Sequence, residues 1–110
     1  MNTEDELNGY ADRLIELLKG TNQYRDYVHA MKILNGMPDI RDKVYEFRRE
    51  NYFLQHAPEE EDIYNRIAEL REKNDELLQM PEVEDFLMTE WELFRMIQNV
   101  FDRIMDQMDF

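Results

Sequence analysis

The chain has no cysteine and no serine. Disulfides, thiolate metal sites, cysteine-held Fe–S clusters and Cys or Ser nucleophiles are therefore excluded within it. A chain without disulfides fits a cytosolic setting. Only three glycines are present, Gly9, Gly20 and Gly36, and each stands alone, so there is no glycine-rich cradle for phosphate. Three prolines and little alternating β-branched pattern argue for an all-helical fold. Histidine is scarce too. His29 and His56 are the only two, and no Glu-x-x-His pair occurs of the kind that builds a di-metal site inside a helical bundle. Asp26 and His29 have i, i+3 spacing, but His29 falls opposite Val28 and Met31 and is expected to meet solvent. His56, beside a helix break, reads as a turn residue. No apolar run approaches the roughly 18 residues of a membrane span. Met1 leads into an acidic stretch, Asn2 to Glu6, instead of a basic and apolar leader. The expectation is an unprocessed, soluble, cytoplasmic protein with no membrane partner and no cofactor.

Positive charge is also in short supply. Thirteen Lys and Arg stand against 26 Asp and Glu, for a net charge of −13 over 110 residues. Such a surface repels phosphate backbones, so direct nucleic-acid binding is not expected. Solubility is the plain meaning of the charge. An acidic mimic of nucleic acid is the sharper alternative, and it requires acids at phosphate-like spacing over one face.

What the chain does have is helical periodicity, which predicts one domain over residues 1–110 with about five helices. These fall near 4–19, 22–35, 39–55, 59–79 and 82–108. In the first, Leu7, Tyr10, Ala11, Leu14, Ile15, Leu17 and Leu18 are expected to face inward, and Gly20 to end the helix in a left-handed conformation. Thr21 or Asn22 caps the second. Asp39 is expected to cap the third, and Glu59 to Asp62 place four acids on the positive end of the fourth. A connection of about two residues between the last two helices forces them antiparallel. The predicted fold is an all-α antiparallel bundle with long C-terminal helices. Met37-Pro38-Asp39-Ile40 is echoed by Met80-Pro81-Glu82-Val83. The recurrence of Pro and acids at helix starts accounts for the echo more simply than a duplicated hairpin.

The last helix is the most telling element. Val83, Phe86, Leu87, Leu93, Phe94, Ile97, Val100, Phe101, Ile104, Met105 and Met108 fall within about half of its circumference, where an ordinary core-facing stripe covers roughly 100°. At its full length it spans about 42 Å, against a radius of gyration of about 13 Å for a domain of this size. It should therefore overrun its own globule and need covering from elsewhere, which makes the protein an oligomer. Phe94, Ile97, Phe101 and Ile104 are the expected interface residues on this helix. On the third helix, Ile40, Val44, Phe47 and Leu54 form one face, while Tyr45, Tyr52 and Phe53 point away from it among Arg41, Arg48 and Arg49. Tyr, Phe and Arg together on an exposed face suit a protein interface. A neighbouring helix of the same chain would explain them equally well.

Glu90 interrupts the apolar stripe. A lone carboxylate in such a place is costly unless paired or protonated. A tight reversal around residues 80 and 81 sets Glu90 near Leu70 and Arg71, so a buried Arg71–Glu90 ion pair is expected. The same register sets Asn74 near Leu87. A small bundle enzyme with a carboxylate or metal site around Glu90 is the alternative.

Over almost its whole length the chain resembles the YlbF/YmcA-like family of small bacterial helical proteins. The resemblance is carried by Leu14-x-x-Leu17-Leu18, by Tyr24-x-x-Tyr27-x-x-Ala30, and by the acid-led helix from Asp39 and Ile40 to Phe47. It is strongest in Leu77-Leu78-x-Met80-Pro81-x-Val83-x-x-Phe86-x-x-x-Glu90-x-x-Leu93-Phe94-x-x-Ile97, where Met80 replaces the commoner Asn. The resemblance implies an all-α fold that dimerises or assembles further, and non-catalytic regulators that control competence, sporulation and biofilm development and influence RNA processing through an endoribonuclease. Some such regulators hold Fe–S clusters on cysteines, which this chain lacks. The chain is therefore expected to be a non-enzymatic regulator that homo-oligomerises and contacts other regulatory proteins.

Overall fold

The computed structural model describes residues 2–56 and 62–108. Among them all regular structure is helical, in six helices: α1 (Thr3–Lys19), α2 (Asn22–Asn35), α3 (Pro38–His56), α4 (Ile63–Lys73), α5 (Asp75–Leu78) and α6 (Pro81–Met108). The all-α expectation holds. None of these helices is long and apolar enough to cross a membrane.

Local chemistry explains the helix ends. Asn2 Oδ1 accepts the Asp5 N–H at 2.8 Å, and Glu4, Asp5 and Glu6 occupy the positive end of α1. At the other end, Gly20 was expected to be left-handed. It is right-handed, at φ −84° and ψ −4°. Its N–H donates to the carbonyls of Glu16 and Leu17, and Thr21 finishes the turn. The Thr21 hydroxyl donates to Leu18 O at 2.6 Å and accepts the Tyr24 N–H at 3.2 Å. One side chain thus closes α1 and caps α2, and a left-handed residue is not needed. Pro38 and Pro81 each take the first helical position, where the missing N–H costs nothing. The carbonyls of Met37 and Met80 accept the first helical N–H groups, from Arg41 and Glu84, both at 2.9 Å. The echo between the two Met-Pro segments is thus a shared way of starting a helix. Asp39 lies within the first turn of α3 and not ahead of it.

The predicted fourth helix is two. Asn74, at φ −105° and ψ 17°, separates α4 from α5. Its Nδ2 donates to Leu70 O at 2.8 Å and its backbone N–H to the same oxygen at 3.2 Å. The amide side chain competes for a carbonyl that a continuous helix would use through backbone alone. The expected helix start at Glu59, and the break at Ala57 and Pro58, lie outside the described residues.

The chain divides into two compact units. In the unit Ala30–Leu87, α3 packs on α4 and α5. Its core joins Ala30 and Leu34 of α2, Val44 and Phe47 of α3, Leu70 of α4, Leu77 of α5, and Val83 and Phe86 of α6. The predicted inward face of α3 is the observed one. The second unit, Met1–His29 with Met88–Phe110, has a different character. Among its described residues Leu93 is the one buried hydrophobic side chain, joined by buried Glu90. Tyr27 and Phe94 meet with ring centroids 6.4 Å apart. No residue of α1 is buried. Leu14 and Leu18 are half-buried, but Leu7, Tyr10, Ile15 and Leu17 are exposed. The inward turn expected of those four is not found. Periodicity locates an apolar stripe, but it does not supply the surface the stripe lies against.

Candidate interaction surfaces

Two exposed apolar–aromatic surfaces stand out, one on each unit. The first runs along α6. Its stripe is buried at Val83, Phe86, Glu90 and Leu93, then becomes open without leaving the same side of the helix. Phe94 is 52% exposed, Ile97 38%, Phe101 53% and Ile104 51%. Met105 and Met108 extend it. Beside the stripe, Trp91 is exposed, and Arg95 places its guanidinium 5.3 Å from the Trp91 ring centroid. Trp91 falls outside the predicted stripe, although its i, i+4 spacing to Arg95 marks a stacked pair on a helix flank.

The second surface lies on α3, opposite Val44 and Phe47. Tyr45, Tyr52 and Phe53 are all exposed, as expected of residues pointing away from the core. The face is ordered by stacking. Tyr52 and His56 stack with centroids 4.0 Å apart, Tyr52 meets Phe53 edge-on at 6.1 Å, and Arg48 lies 5.9 Å from the Tyr45 ring. The same guanidinium sits 5.8 Å from the buried Phe86 ring, which anchors the strip to the core. His56 Nδ1 is 2.9 Å from the carbonyl of Tyr52. His29 is exposed, as expected.

Glu90 is 9% exposed and is not without a partner. Arg71 is exposed. The two members of the expected ion pair thus differ in burial.

Among the described residues no group of three or more His, Cys, Asp or Glu is placed to hold a metal ion. One open depression in the Ala30–Leu87 unit is lined by Ala30, Ile33, Pro81, Glu82 and Asp85, and another by Lys43, Glu46, Phe47, Glu50, Lys73 and Asn74. Neither of these sets a nucleophile against a base.

One polar group is poorly accommodated. Asn51 Oδ1, on α3, is buried with no hydrogen-bond partner. An unsatisfied buried acceptor costs about 1–3 kcal/mol. Asn51→Leu, similar in size, is therefore expected to stabilise the protein by about 1 kcal/mol, read as a higher urea midpoint at unchanged slope. A lower midpoint would show that the amide is satisfied.

The family model described as "Control of competence regulator ComK, YlbF/YmcA" matches residues 9–109. No curated protein and no solved structure matches the chain.

Proposed function

The chain belongs to the YlbF/YmcA family, and on that premise we propose that it is a non-enzymatic, cytoplasmic regulator that assembles with itself and acts through protein–protein contacts on developmental or RNA-processing machinery. The observation that carries this reading is the exposed half of the α6 stripe. Phe94, Ile97, Phe101 and Ile104 continue a face that is buried earlier in the same helix, and they belong to a unit with a single buried apolar side chain among its described residues. Contiguous exposed apolar surface of this kind marks an interaction site. We assign these four residues to the contact between copies, and the α3 strip of Tyr45, Tyr52 and Phe53 to a second contact. The absence of cysteine supports a role that does not depend on a cluster held by this chain. The negative net charge supports action through proteins rather than by gripping RNA directly.

The test is genetic. Deletion of the gene in the source cell is expected to change the 5′ ends or half-lives of a defined set of transcripts. The wild-type gene should restore them, and a Phe101→Asp allele should not. Unchanged transcripts and unchanged development after deletion would overturn the proposal.

A further inference from the structure

We propose that the α3 strip is the seat of α1 from a second copy of the chain, the two helices lying antiparallel. The inference rests on the self-assembly reading above and adds to it a contact separate from the α6 stripe. Its ground is complementarity of three kinds between two surfaces of one sequence.

The first is apolar. α1 buries none of its residues fully, and Leu7, Tyr10, Ile15 and Leu17 are exposed around half-buried Leu14 and Leu18. The α3 strip offers exposed aromatic rings. The second is length. α1, with 17 residues, is about 26 Å long, and the strip from Arg41 to His56 about 24 Å, at the helical rise of ~1.5 Å per residue.

The third is charge, and it also sets the direction. α1 has five acids against two bases, with Glu4, Asp5 and Glu6 at its start and Lys19 at its end. On α3, an arc of about 140° around Tyr45, at ~100° per residue, contains Arg41, Arg48, Arg49, Tyr52, Phe53 and His56. Asp42 is the one acid in that arc, and its Oδ1 lies 3.3 Å from Arg41 Nε. The strip is thus a basic surface on a chain whose net charge is −13. Its basic weight lies towards the end of α3, and Asp39 and Asp42 stand near the start. An antiparallel α1 brings Glu4 and Glu6 towards the Arg48, Arg49 and His56 end, and Lys19 towards Asp39 and Asp42. A parallel α1 would set Lys19 against Arg48 and Arg49. The antiparallel register puts exposed Leu7 opposite Tyr52. Tyr10 then falls opposite exposed Arg49, whose guanidinium stacks well on an aromatic ring. A two-fold dimer makes this contact twice, each copy lending α1 and receiving one.

The cysteine-free sequence makes the test clean. Two single-cysteine proteins, Leu7→Cys and Tyr52→Cys, are mixed and mildly oxidised, and the disulfide-linked pair is measured on a non-reducing gel. Both positions are exposed, so folding is not at stake. The mixture is expected to give a cross-linked dimer well above either protein alone. Leu7→Cys with Tyr45→Cys should give little, since Tyr45 lies two turns away. Adding Arg49→Glu to the Tyr52→Cys protein should lower the yield on the order of tenfold, because it faces α1 acids with an acid. Cross-linking through Tyr45 in preference to Tyr52 would overturn the antiparallel arrangement. An oligomeric mass by light scattering with no cross-link from either position would overturn the α1–α3 contact while leaving self-assembly standing. A monomeric mass would remove the reading on which the contact rests.

Discussion

Phe101→Asp is expected to weaken self-association by at least about a hundredfold, corresponding to about 3 kcal/mol or more. Phe101 is half-exposed, within a stripe that continues the buried face of α6. If a second copy covers that stripe, the new carboxylate is taken out of water with no partner, and a desolvated unpaired charge costs several kcal/mol. In the isolated chain the same residue remains solvated, so the penalty falls on association and not on folding of the Ala30–Leu87 unit. Sedimentation equilibrium should show the shift. Tyr64→Asp, at an exposed hydrophobic side chain of α4 (86% exposed), should leave the equilibrium unchanged. Equal dissociation constants for Phe101→Asp and the wild type would remove the α6 stripe from the interface.

Phe86→Ala should have the largest effect on stability, a loss of about 3–5 kcal/mol. Phe86 is 1% exposed and is among the largest fully buried side chains. It packs in the Ala30–Leu87 core and supports the Arg48 guanidinium from below. Alanine would leave a cavity and also loosen the anchor of the α3 strip. Urea unfolding followed by circular dichroism measures the loss. It must be compared at one protein concentration, because association stabilises the folded state by mass action. Against a typical total of about 5–15 kcal/mol, the loss should bring the transition close to the start of the titration. Tyr52→Ala, on the exposed strip, should cost far less. A loss below about 1 kcal/mol for Phe86→Ala would mean that this core is not what holds the unit together.

The features legible in the sequence were those set by periodicity and by strong local punctuation. Pro81 and Thr21 marked helix starts because each acts on its own few backbone groups. The inward face of α3 was legible because Val44 and Phe47 recur at helical spacing opposite Tyr45 and Tyr52. Glu90 was marked as a buried carboxylate because apolar neighbours surround it on the wheel, and its burial follows. Other features depended on competition between near-equal local alternatives. Asn74 sits at a stripe position compatible with a continuous helix, and the break falls where its side-chain amide shares the Leu70 carbonyl with its own backbone N–H. Gly20 suits a left-handed cap, but the Thr21 hydroxyl supplies the missing bonds by another route. The exposure of α1 was not legible at all. Its stripe has the pattern of a core helix, and the pattern is the same whether the covering surface comes from its own chain or from another. That ambiguity is what the α6 stripe resolves only in part, since its length and width announced a need for cover without saying where the cover begins. It begins to fail at Phe94.

The claim that ties these observations together is that α1 and the distal half of α6 are completed by another copy of the chain. Multi-angle light scattering of the purified protein, across a dilution series in the micromolar range, tests it most directly. With a chain mass of 13.5 kDa, the expected mass is about 27 kDa or a higher multiple, falling only on strong dilution as association reverses by mass action. A stable mass of 13.5 kDa throughout that range would contradict it.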